Sequence, residues 1–360
     1  MKTIAPVLPL RDEERDGLPP MGGATAREIL PRIGVALSAG GARGLAHIGV
    51  IQILEENGIP VHAIAGTSMG AYVGALWASG CSGAELESLA AEMQHRRNLL
   101  ELVDPAPPFV RGLVHGLKAR HRLERTLAGA TFESLPRSFF AVAGNVRTMR
   151  RRVFSSGSVA QAVHASFAIP GICVPVRIDG ELYVDGGIVE PLPVPVLQQH
   201  AQVDWILAVN VVPSLDDVAR CLPDPLAPAT AGWRKIFSWL NRKWNVFAAG
   251  NLVEILQRSL VAAEVRMAEA AGREADVLVC PRFESNRWHD YHHWRHYIDL
   301  GRAAAQAALP QIRTLLACPS AGRHFPAPST PKHHEQPLPN RPLGCAAIRC
   351  AAQPPTAASA

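Results

Sequence analysis

From Ile33 onward the chain alternates short apolar runs with longer runs of helical period, separated by glycine and proline breaks. Ile33-Gly34-Val35-Ala36-Leu37-Ser38 predicts a buried strand. Gly40-Gly41-Ala42-Arg43-Gly44 follows as a glycine-rich loop, then a helix to about Asn57. Gly58 suits the position after that helix, with Ile59 as its apolar contact and Pro60 blocking continuation. Val61 to Ala65 predicts a second strand, and Met69 to Ser79 a helix of small residues. Further strands are expected at Phe139–Ala143, Arg152–Ser155, Trp205–Val212 and Ala275–Cys280. Ser158 to Ala168 has helical character and must stop before Pro170. Val174–Ile178 and Glu181–Val184 flank Asp179-Gly180, a strong two-residue hairpin signal. Helices are expected over Leu252–Ala271 and Leu300–Leu316, the latter broken near Pro310. Strands alternating with helices indicate an α/β fold with a largely parallel sheet.

The ends have a different texture. Residues 1–30 form a loose leader with breakers at Pro19-Pro20 and Gly22-Gly23, and no continuous apolar stretch of the kind a secretory signal needs. Residues 317–360 are rich in proline among alanine, serine and histidine and are expected to be a disordered tail. A single ordered domain is expected between them, over 31–316. Ala63 to Ala84 carries no charge at a length that raises a membrane span. Its glycine, serine and threonine content argues instead for a buried helix behind a strand.

Composition narrows the classes. Of 360 residues, 48% are hydrophobic and 19% charged, enough to bury a core. A net charge of +5 without any recognition motif does not suggest nucleic-acid binding. The seven cysteines are scattered and odd in number, with no Cys-x-x-Cys pair, which favours a reducing compartment over a disulfide framework.

Candidate chemistry converges on three places. Gly66-Thr67-Ser68-Met69-Gly70 is a Gly-x-Ser-x-Gly pentapeptide between a strand and a helix, the context of a nucleophile elbow. A helix N-terminus there favours the anion formed in acyl transfer. The Gly40–Gly44 loop follows a strand and opens a helix. Leu45 after Gly44 excludes a P-loop, and the loop suits an oxyanion hole. Asp185 stands between the hairpin and Gly186-Gly187. Arg43 has three open readings: orienting the loop, favouring an anionic head group, or pairing with a nearby carboxylate.

These residues together resemble the patatin-like phospholipase family, in particular its bacterial, lysophospholipase-type esterase branch. Leu37 to Val50 resembles the glycine-rich block, Gly66 to Ala71 the nucleophile block, Ala165 to Gly171 the block before the aspartate, and Val184 to Gly187 the Asp-Gly-Gly block. Order and spacing agree from about Ile33 to Leu309. Ala39 departs from the pattern, standing where many members carry the first glycine. The resemblance implies a three-layer fold with a mostly parallel central sheet flanked by helices. It implies a catalytic dyad of Ser68 and Asp185, and an oxyanion hole from Gly40, Gly41, Ala42 and Arg43. Gly44, Gly66, Gly70, Gly186 and Gly187 would support the motifs. It implies hydrolysis of phospholipid or lysophospholipid acyl esters with no metal or cofactor. Transacylation and a lipid-binding regulatory module are the alternatives.

A Ser–His–Asp triad would need a histidine after Asp185, for which His200, His289, His292, His293 and His296 qualify by order only. His289 to His296 also has a spacing that could hold a metal, against the plainer reading of exposed side chains. His47 and His62 are expected to be structural. Trp233, Ile236, Phe237, Leu240, Trp244 and Phe247 recur at intervals of three and four among basic residues. Such a helix either packs on the domain or lies in a membrane interface. The expected location is the cytoplasm, peripheral to the inner face of the membrane in the second case.

Overall fold

A computed structural model describes residues 31–92, 103–107, 111–214, 252–283 and 290–317. Trp233, Phe237 and Trp244, the leader and the tail beyond Ala317 lie outside the described residues. In chain order the elements are β1 (Ile33–Leu37), a 3-10 turn (Gly41–Leu45), α1 (Ala46–Glu56), β2 (Val61–Thr67), α2 (Met69–Ala78) and α3 (Gly83–Ala91). Next come α4 (Leu117–Thr126), β3 (Ser138–Asn145), β4 (Arg151–Phe154), α5 (Val159–Ser166), β5 (Val176–Ile178) and β6 (Glu181–Asp185). A 3-10 turn (Gly186–Ile188), α6 (Val194–His200), β7 (Trp205–Val209), α7 (Leu252–Gly272), β8 (Val277–Val279) and α8 (Trp294–Ala317) complete the described residues.

One mixed sheet has the order β5-β6-β3-β2-β1-β7-β8, with β4 also on β3. Its centre, β3-β2-β1-β7-β8, is parallel throughout. The strand period of two splits each strand between two cores. Val35 and Leu37 of β1, Ile64 of β2, Phe139 and Ala141 of β3 and Leu207 and Val209 of β7 face α1, α2, α5 and α8. Ala36, Ala65, Val142, Ile206 and Ala208 face the opposite layer, where α6 supplies Val194, Val196 and Leu197 and α7 supplies Val265 and Ala268. Both faces are covered, as a parallel sheet requires, and the three-layer α/β expectation holds.

Local signals explain the element ends. Gly58 has φ of +63°, and Gly58 and Ile59 donate to the Glu55 and Leu54 carbonyls, closing α1 in a Schellman motif. Asp179 and Gly180 have φ of +49° and +82°, the pair of left-handed residues of a type I′ hairpin. Ser158 caps α5 through the Gln161 amide. One expectation fails: α8 runs unbroken through Pro310. Pro310 and Gln306, the residue whose carbonyl loses its partner, are both exposed, so water can take the bond that proline removes.

The topology fixes how the site forms. Ala141 to Gly144 of β3 pair with β4 along one edge. The other edge of β3 is therefore shared: Ser138–Val142 pair with β2, and Ala143–Asn145 pair with β6. β2 ends where β6 ends, head to head against the same strand. Ser68 follows β2 directly and Asp185 closes β6, so two residues 117 positions apart meet at one point.

Candidate active site

Ser68 is held in a backbone conformation that L-residues avoid, φ 55° and ψ −119°, between β2 and α2. Such strain costs about 1–3 kcal/mol and persists only where surroundings over-determine it. They do so here. A Cβ on Gly66 would overlap the Gly70 carbonyl, and one on Gly70 would overlap the carbonyls of Leu37 and Ser38. The Ser68 amide donates to Ser166 Oγ (2.8 Å), and Ser166 Oγ donates to the Val142 carbonyl (2.6 Å). Thr67 Oγ1 donates to the Glu190 carbonyl (2.8 Å).

The Ser68 hydroxyl donates to Asp185 Oδ2 at 2.6 Å. Oδ1 accepts from the Gly187 amide at 2.7 Å, which fixes the carboxylate plane. Both side chains are buried, with 6% of each residue exposed. Burial pushes the Asp185 carboxyl up to about 6, and the bonds from Ser68 and Gly187 hold it from rising further. A carboxylate with that proton affinity is a better base near neutral pH than an ordinary aspartate.

The glycine loop packs against the start of α2. A Cβ on Gly44 would overlap the Met69 side chain, and one on Gly40 would fall 2.5 Å from Val211 Cγ2. Ala39 takes no positive φ, so its departure from glycine carries no backbone strain. Gly41 has φ of +56° and begins the 3-10 turn, whose first amides are without intrahelical partners in such a turn. Beneath the loop, Ser38 Oγ accepts from the Val211 amide, and His47 Nε2 lies 2.9 Å from the Ser38 carbonyl. Burial pulls the His47 imidazole down to about 4. It is therefore neutral and donates Nε2–H to that carbonyl, a structural part of the loop.

Arg43 is buried, with Nε directed at the Gly40 carbonyl at 3.4 Å. Burial lowers its proton affinity, and the charges of Glu264 and Tyr297 counter this. Glu264, on α7, has Oε1 3.3 Å from where a Gly187 Cβ would stand. Its carboxyl is pushed up to about 7 by burial first and by Asp185 second, against the pull of Arg43.

Ser68, Asp185, Gly40, Gly41, Ala42, Arg43 and the supporting glycines therefore lie in one neighbourhood. Of the candidate histidines, the His200 ring lies tilted against Phe140 and His293 Nδ1 lies 2.8 Å from Asp290, while His289 is outside the described residues. Ser166 and Glu264 carried no assigned role in the sequence. Glu264 had a legible signal: it is in phase with buried Ala268 and Ala271, an acid on the apolar face of a helix.

Residues 35–197 match the family model of patatin-like phospholipases, and the chain carries that domain. An uncharacterised NTE family protein of Mycobacterium tuberculosis is 36% identical over 228 residues, 62% of this chain and 61% of its own length. Lysophospholipase NTE1 of Pyricularia oryzae is 31% identical over 248 residues, 66% of this chain and 16% of that protein. The match thus spans less than two thirds of these relatives. Among solved structures, VipD from Legionella pneumophila aligns with TM-score 0.42 and 14% identity, covering 79% of this chain and 67% of that one.

Proposed function

We propose that this patatin-like domain is a serine acyl hydrolase that cleaves fatty-acyl esters of phospholipids or lysophospholipids, using Ser68 and Asp185 as a dyad. The observation that carries the reading is the 2.6 Å bond from the Ser68 hydroxyl to a buried carboxylate whose proton affinity is raised to about 6. The family match over 35–197 supports the substrate class. We assign the activity to residues 31–316.

Ser68 Oγ attacks the ester carbonyl carbon as its proton passes to Asp185 Oδ2. The carbonyl oxygen becomes an oxyanion, stabilised by the α2 N-terminus and the first amides of the Gly40–Arg43 loop. Collapse breaks the carbon–oxygen bond to the alcohol, which leaves with the proton from Asp185. Asp185 then takes a proton from water, the hydroxide equivalent attacks the acyl-serine, and fatty acid is released as Ser68 recovers its proton. Glycines at 186 and 187 let the turn after Asp185 approach: a Cβ on Gly186 would overlap the Val142 carbonyl. Among the described residues no helix is long and apolar enough to cross a membrane.

The test is release of free fatty acid from phosphatidylcholine and lysophosphatidylcholine, read by mass spectrometry, with Ser68→Ala as control. The expected outcome is a loss of roughly 10⁴-fold or more in turnover, the scale seen when an acyl-transfer nucleophile is removed. Turnover retained within tenfold by Ser68→Ala would remove the dyad reading.

A further inference from the structure

Beyond Ala143, level with Asp185, β3 continues to Asn145 and turns back into β4. This hairpin therefore projects past the dyad on the same end of the sheet. Its tip, 146–150, is wholly exposed, and Met149 is 80% exposed. The tip is well fixed: Asn145 Oδ1 accepts from the Arg147 and Thr148 amides, and the Met149 amide donates to the Asn145 carbonyl. Met149 takes φ of +56°, a conformation that glycine or asparagine would adopt more readily. Local folding therefore gives no reason for a large apolar side chain there, held out in water.

Its neighbours are apolar or cationic. Val146 is 41% exposed, and Ile188, from the turn after Asp185, is 36% exposed beside Gly144. Arg147, Arg150, Arg151 and Arg152 follow one another around the hairpin, with Arg177 on the adjoining β5–β6 hairpin. Arg147 bridges to Glu181, and Arg151 to Glu190. Arg150 has no acidic partner among the described residues. The rim thus offers an excess of guanidinium around an apolar tip. That pairing matches an anionic bilayer surface, where apolar side chains enter the headgroup boundary and arginines meet phosphates.

We propose that the β3–β4 hairpin is a membrane-docking element, with Met149 and Val146 inserting and Arg150 engaging anionic lipid headgroups. Docked in this way, the end of the sheet that carries Ser68 faces the lipid. The orientation rests on the lipid-ester reading above, but the binding does not.

The full chain carrying Ser68→Ala is mixed with vesicles of phosphatidylcholine, or of phosphatidylcholine with phosphatidylglycerol, and sedimented. Because this protein cannot turn over lipid, the result stands whether or not the wild type is a hydrolase. Binding to the anionic vesicles should exceed that to the neutral ones and weaken with added salt. Met149→Glu with Arg150→Glu should reduce it by about tenfold or more, and Met149→Ser with Arg150→Gln by less. Leu278→Glu, on β8 at the far edge of the sheet, should leave it unchanged. The proposal is overturned if the parent does not prefer anionic vesicles, if the hairpin variants bind as the parent does, or if Leu278→Glu weakens binding equally. The altered side chains are exposed, and matching thermal midpoints for all variants verify that they fold.

Discussion

At the elbow, Gly66 and Gly70 bring α2 so close to the end of β1 and β2 that a Cβ on either would overlap backbone. At the crossing of α1 and α8, Gly49 and Gly301 do the same: a Cβ on Gly49 would overlap the Ile298 carbonyl, and one on Gly301 the Ala46 carbonyl. The local geometry is similar in kind, but the two regions use it differently. The helix crossing is relaxed; neither glycine needs a positive φ, and closeness there serves packing alone. The elbow is strained, because the residue that occupies its unfavourable φ is not a glycine but Ser68. Strain without a packing return is what the proposed chemistry at Ser68 accounts for.

The comparison breaks most sharply at Ser68 itself. Ser68→Gly should lower turnover by roughly 10⁴-fold or more under the proposed mechanism. The same change relieves the φ strain and should stabilise the fold by about 1 kcal/mol or more. Thermal unfolding and fatty-acid release measured on one preparation would then move in opposite directions. A lower midpoint for Ser68→Gly would mean that the conformation is not strained in the folded protein.

Gly301→Ala asks the converse question. The added methyl cannot be placed without separating α1 from α8, and overpacking against backbone destabilises by about 3 kcal/mol or more. The unfolding free energy extrapolated from denaturant should fall by that amount, and activity per folded molecule should stay close to wild type. An equal loss for Gly301→Ala in activity per folded molecule would show that the crossing is coupled to the site.

The two regions also differ in how far the sequence disclosed them. Gly66 to Gly70 lie within one pentapeptide, and Gly40 to Gly44 within one loop, so local spacing was enough to read both. The hairpin at Asp179-Gly180 and the cap at Gly58 were legible for the same reason. Gly49 and Gly301 sit in different helices, and nothing local couples them. The head-to-head meeting of β2 and β6 was likewise hidden, since it depends on β3 offering one edge to two strands. The break expected at Pro310 failed because exposure, a tertiary property, decides whether proline ends a helix.

Asp185 separates the regions by pH. Its folded-state carboxyl titrates at about 6, above its ordinary value of 3.8, so the folded protein binds this proton more tightly than the unfolded chain does. Its contribution to stability is therefore full below the ordinary value and is lost as pH rises through about 6, a difference of about 3 kcal/mol. Turnover should run the other way. In the proposed mechanism the ionised form is the base, so kcat/KM should rise about tenfold per pH unit below about 6 and level off above it. Asp185→Asn should abolish most turnover and remove this share of the pH dependence of stability. Urea unfolding of both proteins at pH 5 and pH 8 measures it: the gap between them should change in favour of the variant at the higher pH. A gap that stays constant would contradict the raised proton affinity.

Ser166 tests how much of the elbow's geometry rests on one hydroxyl. Its Oγ takes the Ser68 amide and gives to the Val142 carbonyl, so it ties the elbow to β3 while touching neither the attacking oxygen nor Asp185. Ser166→Ala leaves the buried Ser68 N–H without the partner it has here, at about 1–3 kcal/mol. Freed of that tie, Ser68 can relax toward an ordinary φ, which moves its hydroxyl away from Asp185. Turnover should fall by roughly 10- to 100-fold, in kcat more than in KM, because the loss is of alignment rather than of lipid contact. Ser166→Thr, which keeps the hydroxyl, should recover part of the rate if its methyl fits. A Ser166→Ala protein that loses stability but keeps wild-type kcat would show that packing of Gly66 and Gly70 alone holds the elbow, making its strained turn as purely a matter of close approach as the α1–α8 crossing.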